Sequence, residues 1–312
     1  MPRLGLATQK LGNVTGLATV AEFLQQVVSG LASGAIYASL ALALVLIYRA
    51  TDVVNFSQGE MATFTTFVAW SLMNNGLSYW PAFALTLALA FFGGVAVERI
   101  VIRPVEHRPE IVIVIVTIGL LIAINGLVGW IWGGETKTFE SPFPNRTFDV
   151  GGVTMSVQDI GTLGVCLFTV LVLWTFFRFT TIGLAMRSSA VNPSASRLLG
   201  VRVGWMLAIG WGLAALLGAV AGILAAPTLF LDPSMMQAIL IYSFAAAVLG
   251  GIDSPFGAVA GGLMLGVGLN LIGTYIDFVG ADLRLPVALL VILVVLLVRP
   301  AGLFGKPVTR RV

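Results

Sequence analysis

The sequence predicts an all-α fold, a polytopic integral membrane helix bundle of about 8–10 transmembrane segments. Three observations carry that expectation. Of 312 residues, 58% are hydrophobic and only 10% charged, whereas a soluble domain is roughly 25% charged. Mean hydropathy is +1.00. The few charges are also clustered, leaving long stretches with none. A water-exposed surface for this length needs far more charge than 17 Lys and Arg with 14 Asp and Glu supply. Soluble enzymes, nucleic-acid-binding proteins and disordered chains are thereby excluded.

The charge-free runs are 23–48, 61–97, 111–134, 160–177, 203–231, 233–252, 254–276 and 285–298. About 20 apolar residues cross the hydrocarbon core as a helix. Segment 1–22 is weakly polar and is expected outside the bundle, which occupies 23–305 and leaves a tail, 306–312. The first run is too long for a cleaved signal peptide, and Arg49 with a polar stretch follows it. Asn74, Asn75, Gly76 and Pro81 break run 61–97. Its second piece, 77–97, spans; its first, 61–73, must borrow from 53–60, which holds Glu60. Run 285–298 is short and needs Leu283 or a snorkelling Arg299. Gly30 and Gly34, Gly218 and Gly222, and Gly257, Gly261, Gly262 and Gly266 are spaced for close helix packing.

Lys and Arg orient the chain. Loop 178–202 carries Arg178, Arg187, Arg197 and Arg202 and no acid. Loop 98–110 carries Arg99, Arg103 and Arg108, and the C-terminal end Arg299, Lys306, Arg310 and Arg311. Segment 133–159 has two basic residues against four acids. The first three therefore face the cytoplasm, with Arg49 beside them, while 133–159 and 277–284 face outward. Nine crossings put the N-terminus outside; eight or ten put it inside.

Three polar features interrupt the apolar segments. Asn55, Ser57, Gln58 and Glu60 lie at or near membrane depth around Gly59. Burying such groups is costly unless they are paired or line a cavity. One reading is a pathway or gate element at a broken helix. The other is an interfacial loop that caps the next helix. Asp253 and Gly257 repeat the spacing of Asn55 and Gly59 before another apolar helix. An internal repeat is one reading of this; a tight Gly-Asp-Pro turn is the other. Third, Asn192 can cap a helix that begins at Pro193, presents Ala195, Leu198 and Leu199 on one face and ends at Gly200. Lying in the acid-free loop with Arg187, it can dock on a soluble partner or rest on the membrane surface.

Catalytic and metal chemistry are not indicated. The single histidine, His107, and single cysteine, Cys166, exclude a multi-His metal site and an internal disulfide. There is no phosphate-loop motif, so the chain is not itself a P-loop ATPase, and no nucleophile–base pair stands out.

Several stretches, in order, resemble the LivH-type permease subunits of branched-chain amino acid ABC importers. They are Gly30–Ala38, Leu46–Tyr48, VNFSQGE at 54–60, Glu98–Pro104, Gly183–Arg187, Leu198–Gly200, Ala247–Ile252, Pro255–Gly262 and Arg299–Gly305. Ser57 and Gln58 stand where the family often has Ala and His. The resemblance covers nearly all of 23–305. It implies a bacterial or archaeal cytoplasmic-membrane protein that forms half of a translocation pathway and is not itself an enzyme. It implies a second, homologous permease subunit, two cytoplasmic ATP-binding subunits that carry the ATP, and an extracytoplasmic substrate-binding protein, all amid membrane lipids. It makes 178–202 the coupling loop, with Arg187, Asn192, Ala195, Leu198, Leu199 and Gly200 meeting the ATPase. Asn55, Gln58, Gly59, Glu60, Asp253 and Gly257 are the candidates for the pathway or gate. Leucine, isoleucine and valine are the implied substrates; relatives of this class also serve urea, short amides and other amino acids. A secondary transporter or channel working alone is the competing class.

Overall fold

The computed structural model describes residues 4–144, 146–150, 153–280 and 282–305, with only the backbone described for 4–19 and 150. The tail 306–312 lies outside the described residues. The described chain is a helix bundle with one small hairpin in a loop. Its helices are α1 (Leu4–Thr51), α2 (Gln58–Asn74), α3 (Tyr79–Val97), α4 (Glu110–Trp132), α5 (Val157–Phe179), α6 (Thr181–Val191) and α7 (Pro193–Leu198). They continue as α8 (Val203–Leu229), α9 (Met235–Gly250), α10 (Pro255–Tyr275) and α11 (Arg284–Val298). Six helices are long and apolar enough to cross a membrane, and α9 and α11 are shorter apolar helices. The piece 61–73 takes only 58–60 from its flank, since α2 begins at Gln58, and α2 is not among the helices long and apolar enough to cross. A π-helical turn at Glu98–Ile102 follows α3. The strands β1 (Thr147–Val150) and β2 (Val153–Ser156) pair antiparallel within the 133–159 connection.

Helices α8 and α1 form the centre. In the most apolar stretch of α8, 89% is buried, against 17% for α4 and α5. In hydrocarbon, helices associate through close packing rather than a hydrophobic driving force, so small residues lie at the contacts. The glycine patterns serve this packing. A Cβ on Gly262 of α10 would lie 2.5 Å from the Ala38 Cα of α1, and one on Gly30 would lie 2.7 Å from the Val267 Cα. These pairs run in opposite directions, so α1 and α10 are antiparallel. A Cβ on Gly94 of α3 would lie 2.5 Å from the Trp211 oxygen of α8. Gly218 and Gly222 of α8 receive Gln58, Ala62 and Thr66 of α2, so those two helices run parallel.

This threading sorts the connections by charge. Arg99, in the turn after α3, stacks on Trp205 at the start of α8 with its guanidinium carbon 3.9 Å from the ring centre. One cavity brings together Arg49, Glu106, Arg178, Arg187 and Pro255. Residues Leu303 and Phe304 donate to the carbonyls of Leu249 and Gly250 at 2.8 and 2.9 Å. The segments that the arginine distribution assigns to one side thus gather at one end of the bundle. At the other end, Lys137 exchanges main-chain bonds with Leu231 at 2.8 and 3.0 Å, and Trp70 Nε1 donates to the Thr138 oxygen at 3.2 Å.

Candidate functional site

The break between α1 and α2 is built from local chemistry. Asp52 takes a left-handed conformation, φ 55°, which ends α1. Asn55 Oδ1 then accepts from both the N–H and the hydroxyl of Ser57, at 3.1 and 2.7 Å. This side-chain-to-backbone turn starts the next helix three residues on, at Gln58. Asn55 Nδ2 donates to Gln58 Oε1 at 3.2 Å, and Gln58 Nε2 donates to the Ala214 carbonyl of α8 at 2.8 Å. Ala214 lies well inside α8, which starts at Val203, so the contact is about 16 Å along that helix. The N-terminus of α2 therefore begins within the bundle rather than at its rim.

Glu60, in the first turn of α2, is only 2% exposed. Asn125 Nδ2 of α4 donates to its Oε2 at 3.2 Å and also reaches the Pro233 carbonyl at 2.9 Å. Gln237 Nε2 of α9 approaches Glu60 Oε1 at 3.5 Å. Gly59 lets α9 come close, because a Cβ there would meet the Met236 oxygen and the Leu240 side chain at 3.3 Å. Asn55, Gln58 and Glu60 are all buried, and each is engaged by protein groups. A buried acid needs such donors. Together these bonds tie α2 to α4, α8, α9 and the connection between α8 and α9.

Asp253 and Gly257 are not part of this cluster. They form the turn between α9 and α10 at the arginine-rich end. Ser254 caps α10 by accepting from the Gly257 N–H at 3.0 Å, with Pro255 in the first turn. Asp253 lies against Gly305. Gly251, at φ 109°, and Gly302, at φ 74°, face one another across this clasp. A Cβ on Gly302 would sit 2.5 Å from the Gly251 Cα.

The third group folds as its capping residues dictate. Asn192 Oδ1 accepts from the Ala195 N–H at 2.9 Å, Pro193 occupies the first turn of α7, and Gly200 follows at φ 82°. Leu198 and Leu199 are 90% and 83% exposed, and Ala195 is exposed beside them. This is an apolar surface on a short helix in a connection rather than on a spanning helix. Arg187, on α6, points into the cavity between that connection and the bundle. Sequence reasoning missed Asn125 and Gln237. Their only sequence signal is a neutral amide within an apolar run, which a search for charges passes over. It also missed helix α6, the π-helical turn and the hairpin.

A family model described as "Branched-chain amino acid transport system / permease component" matches residues 26–298. The high-affinity branched-chain amino acid transport system permease protein LivH of Salmonella typhimurium is 29% identical over 309 residues, covering 93% of this chain and 98% of that protein. The corresponding protein BraD of Pseudomonas aeruginosa is 30% identical over 305 residues, with the same coverage of 93% and 98%. Among solved structures, PsaBC from Streptococcus pneumoniae in complex with Fab has a TM-score of 0.48 at 14% identity, over 90% of this chain and 97% of that one. That likeness is too distant to carry an argument.

Proposed function

The chain belongs to the branched-chain amino acid transport permease family, and we propose that it is one half of the membrane pathway of an ABC importer for leucine, isoleucine and valine. As the permease component of a transport system, it is a multi-pass membrane protein and supplies passage rather than catalysis. In the proposed assembly a second, homologous permease subunit completes the pathway. Two ATP-binding subunits dock from the cytoplasm, and a binding protein delivers the substrate from outside. ATP stays on the docking subunits.

The observation that carries the docking reading is the exposed face of α7. Leu198 and Leu199 project from an arginine-bearing connection that has no acid. An exposed apolar patch of this kind suits a protein partner. Closure of the ATPase pair would push on Asn192–Gly200, and α6 would pass the movement to α5 and α8. The bundle would then exchange outward- and inward-open states. In that cycle the Asn55–Gln58–Glu60 network acts as a latch, holding the start of α2 to α8 and to the α4–α9 pair. Asp253 and Gly257 act as a hinge at the foot of α10.

The test is reconstitution of the chain with its partner subunits in proteoliposomes, followed by ATP-dependent uptake of radiolabelled leucine, isoleucine, valine and urea. Uptake of the three amino acids above urea is the expected result. Uptake of urea alone overturns the substrate. ATP-independent uptake by this chain alone overturns the importer class.

A further inference from the structure

A cavity of about 790 Å³ opens at the arginine-rich end, between α1, α5, α6, α8 and α10. Its walls combine two chemistries. Leu42, Leu46, Val170 and Met206 make the inside apolar, and Leu171 and Trp174 of α5 stand at its outer side, 57% and 56% exposed. Arg49, Arg178, Arg187 and Arg197 also line it, with Glu106 as the one acid and His107 beside it. Among the described residues none of these four arginines makes an ion pair. The buried Arg187 Nε and the Ser189 Oγ have no hydrogen-bond partner among the described residues, and Ser189 is only 7% exposed.

Unpaired buried donors beside an arginine cluster call for an anion. The apolar walls and the outward-facing α5 side chains call for a ligand with hydrocarbon attached. The volume is several times that of an amino acid side chain. The end of the bundle that is rich in arginine is the cytoplasmic end by the distribution of charge, where the leaflet carries anionic lipid. Trp174 lies near the end of α5, which closes at Phe179, and aromatic residues are enriched where membrane helices meet headgroups. We infer that this cavity binds an anionic phospholipid of the inner leaflet. Its phosphate is held by Arg187, Arg178 and the Ser189 hydroxyl, and its acyl chains lie along Leu171 and Trp174. The lipid would fill the space between the bundle and the α6–α7 connection. The inference rests on the membrane placement of the chain and not on the substrate it carries.

The test is native mass spectrometry of the full chain in mild detergent, with phosphatidylglycerol and phosphatidylcholine of identical acyl chains, and inorganic phosphate in a separate titration. Retention of phosphatidylglycerol over phosphatidylcholine is expected. The preference should fall about five-fold for each arginine removed in Arg178→Gln and Arg187→Gln. Leu171→Ala should weaken retention of both lipids. Equal retention of the two lipids by the unaltered chain overturns the proposal without requiring any variant to fold. Equal displacement of lipid by inorganic phosphate means a bare anion subsite and also overturns it. A preference that survives both arginine substitutions overturns the assignment to this cavity.

Discussion

Gln58 Nε2 and the Ala214 carbonyl, 156 residues apart in sequence, are joined by a 2.8 Å hydrogen bond in the middle of the bundle. Gly218, one turn further along α8, leaves the room for it, because a Cβ there would lie 2.8 Å from Gln58 Nε2. Gly218→Ala should therefore displace the amide and destabilise the protein by about 1–3 kcal/mol. Thermal unfolding in detergent, monitored by loss of monodisperse protein, measures this. A methyl added at Gly126 of α4 would meet no atom within 4 Å, so Gly126→Ala is the matched control and should leave stability unchanged or slightly raised.

Glu60 and Asn125 should behave as a coupled pair. Asn125→Ala removes the donor 3.2 Å from a buried carboxylate. The cost is about 1–3 kcal/mol for the group left without its partner. Glu60→Gln keeps the shape but removes the charge, so the double variant should cost less than the sum of the two. A double-mutant cycle on transport rate and on unfolding decides it. Strict additivity, together with unchanged transport in Asn55→Ala and Glu60→Gln at normal membrane levels, would sink the latch.

Asn192→Ala removes the side-chain acceptor 2.9 Å from the Ala195 N–H. Loss of such a cap costs about 1 kcal/mol. Helix α7 is short and exposed, so the change should appear locally, as faster amide hydrogen exchange over 194–199 with little change in global stability. In the reconstituted importer, substrate-stimulated ATP hydrolysis should fall while basal hydrolysis persists. Leu198→Asp should prevent assembly of the ATP-binding subunits with the permease. Intact assembly and unaltered stimulation would assign α7 to the membrane surface instead.

Gly302→Ala should loosen the clasp at the foot of α9. The residue has φ 74°, and its Cβ would sit 2.5 Å from the Gly251 Cα. A left-handed non-glycine residue costs about 1–2 kcal/mol before any clash is counted. Limited proteolysis should then cut near Phe304 sooner than in the unaltered chain. An unchanged cleavage rate would mean the clasp contributes nothing.

Much of this arrangement is legible in the sequence because it depends on local chemistry. Asn192, Pro193 and Gly200 specify the start and stop of α7 by capping, and scarce arginines mark one end of the bundle. The partners of Glu60 are not legible in the same way. Asn125 and Gln237 are neutral amides in apolar helices, and only the threading of α2 between α4 and α9 brings them to the acid. Equal spacing was likewise a poor guide to shared placement. Asn55 and Gly59 start a helix within the bundle, while Asp253 and Gly257 start one at its rim, because α2 packs along α8 and the turn between α9 and α10 is held by the 302–305 segment. The π-helical turn at Glu98–Ile102 has no periodic signature in so short a stretch.

The antiparallel seam of α1 and α10 has a consequence for synthesis. Gly34 meets Gly262 and Leu263, so a helix near the start of the chain has its closest fit with one made near the end. At about 5–20 residues per second, roughly 10–50 s of translation separates the two. Throughout that interval the face of α1 around Gly30 and Gly34 lacks the partner it fits. Any neighbour on that face meanwhile must leave when α10 arrives, so α10 joins by an exchange of neighbours rather than by simple addition.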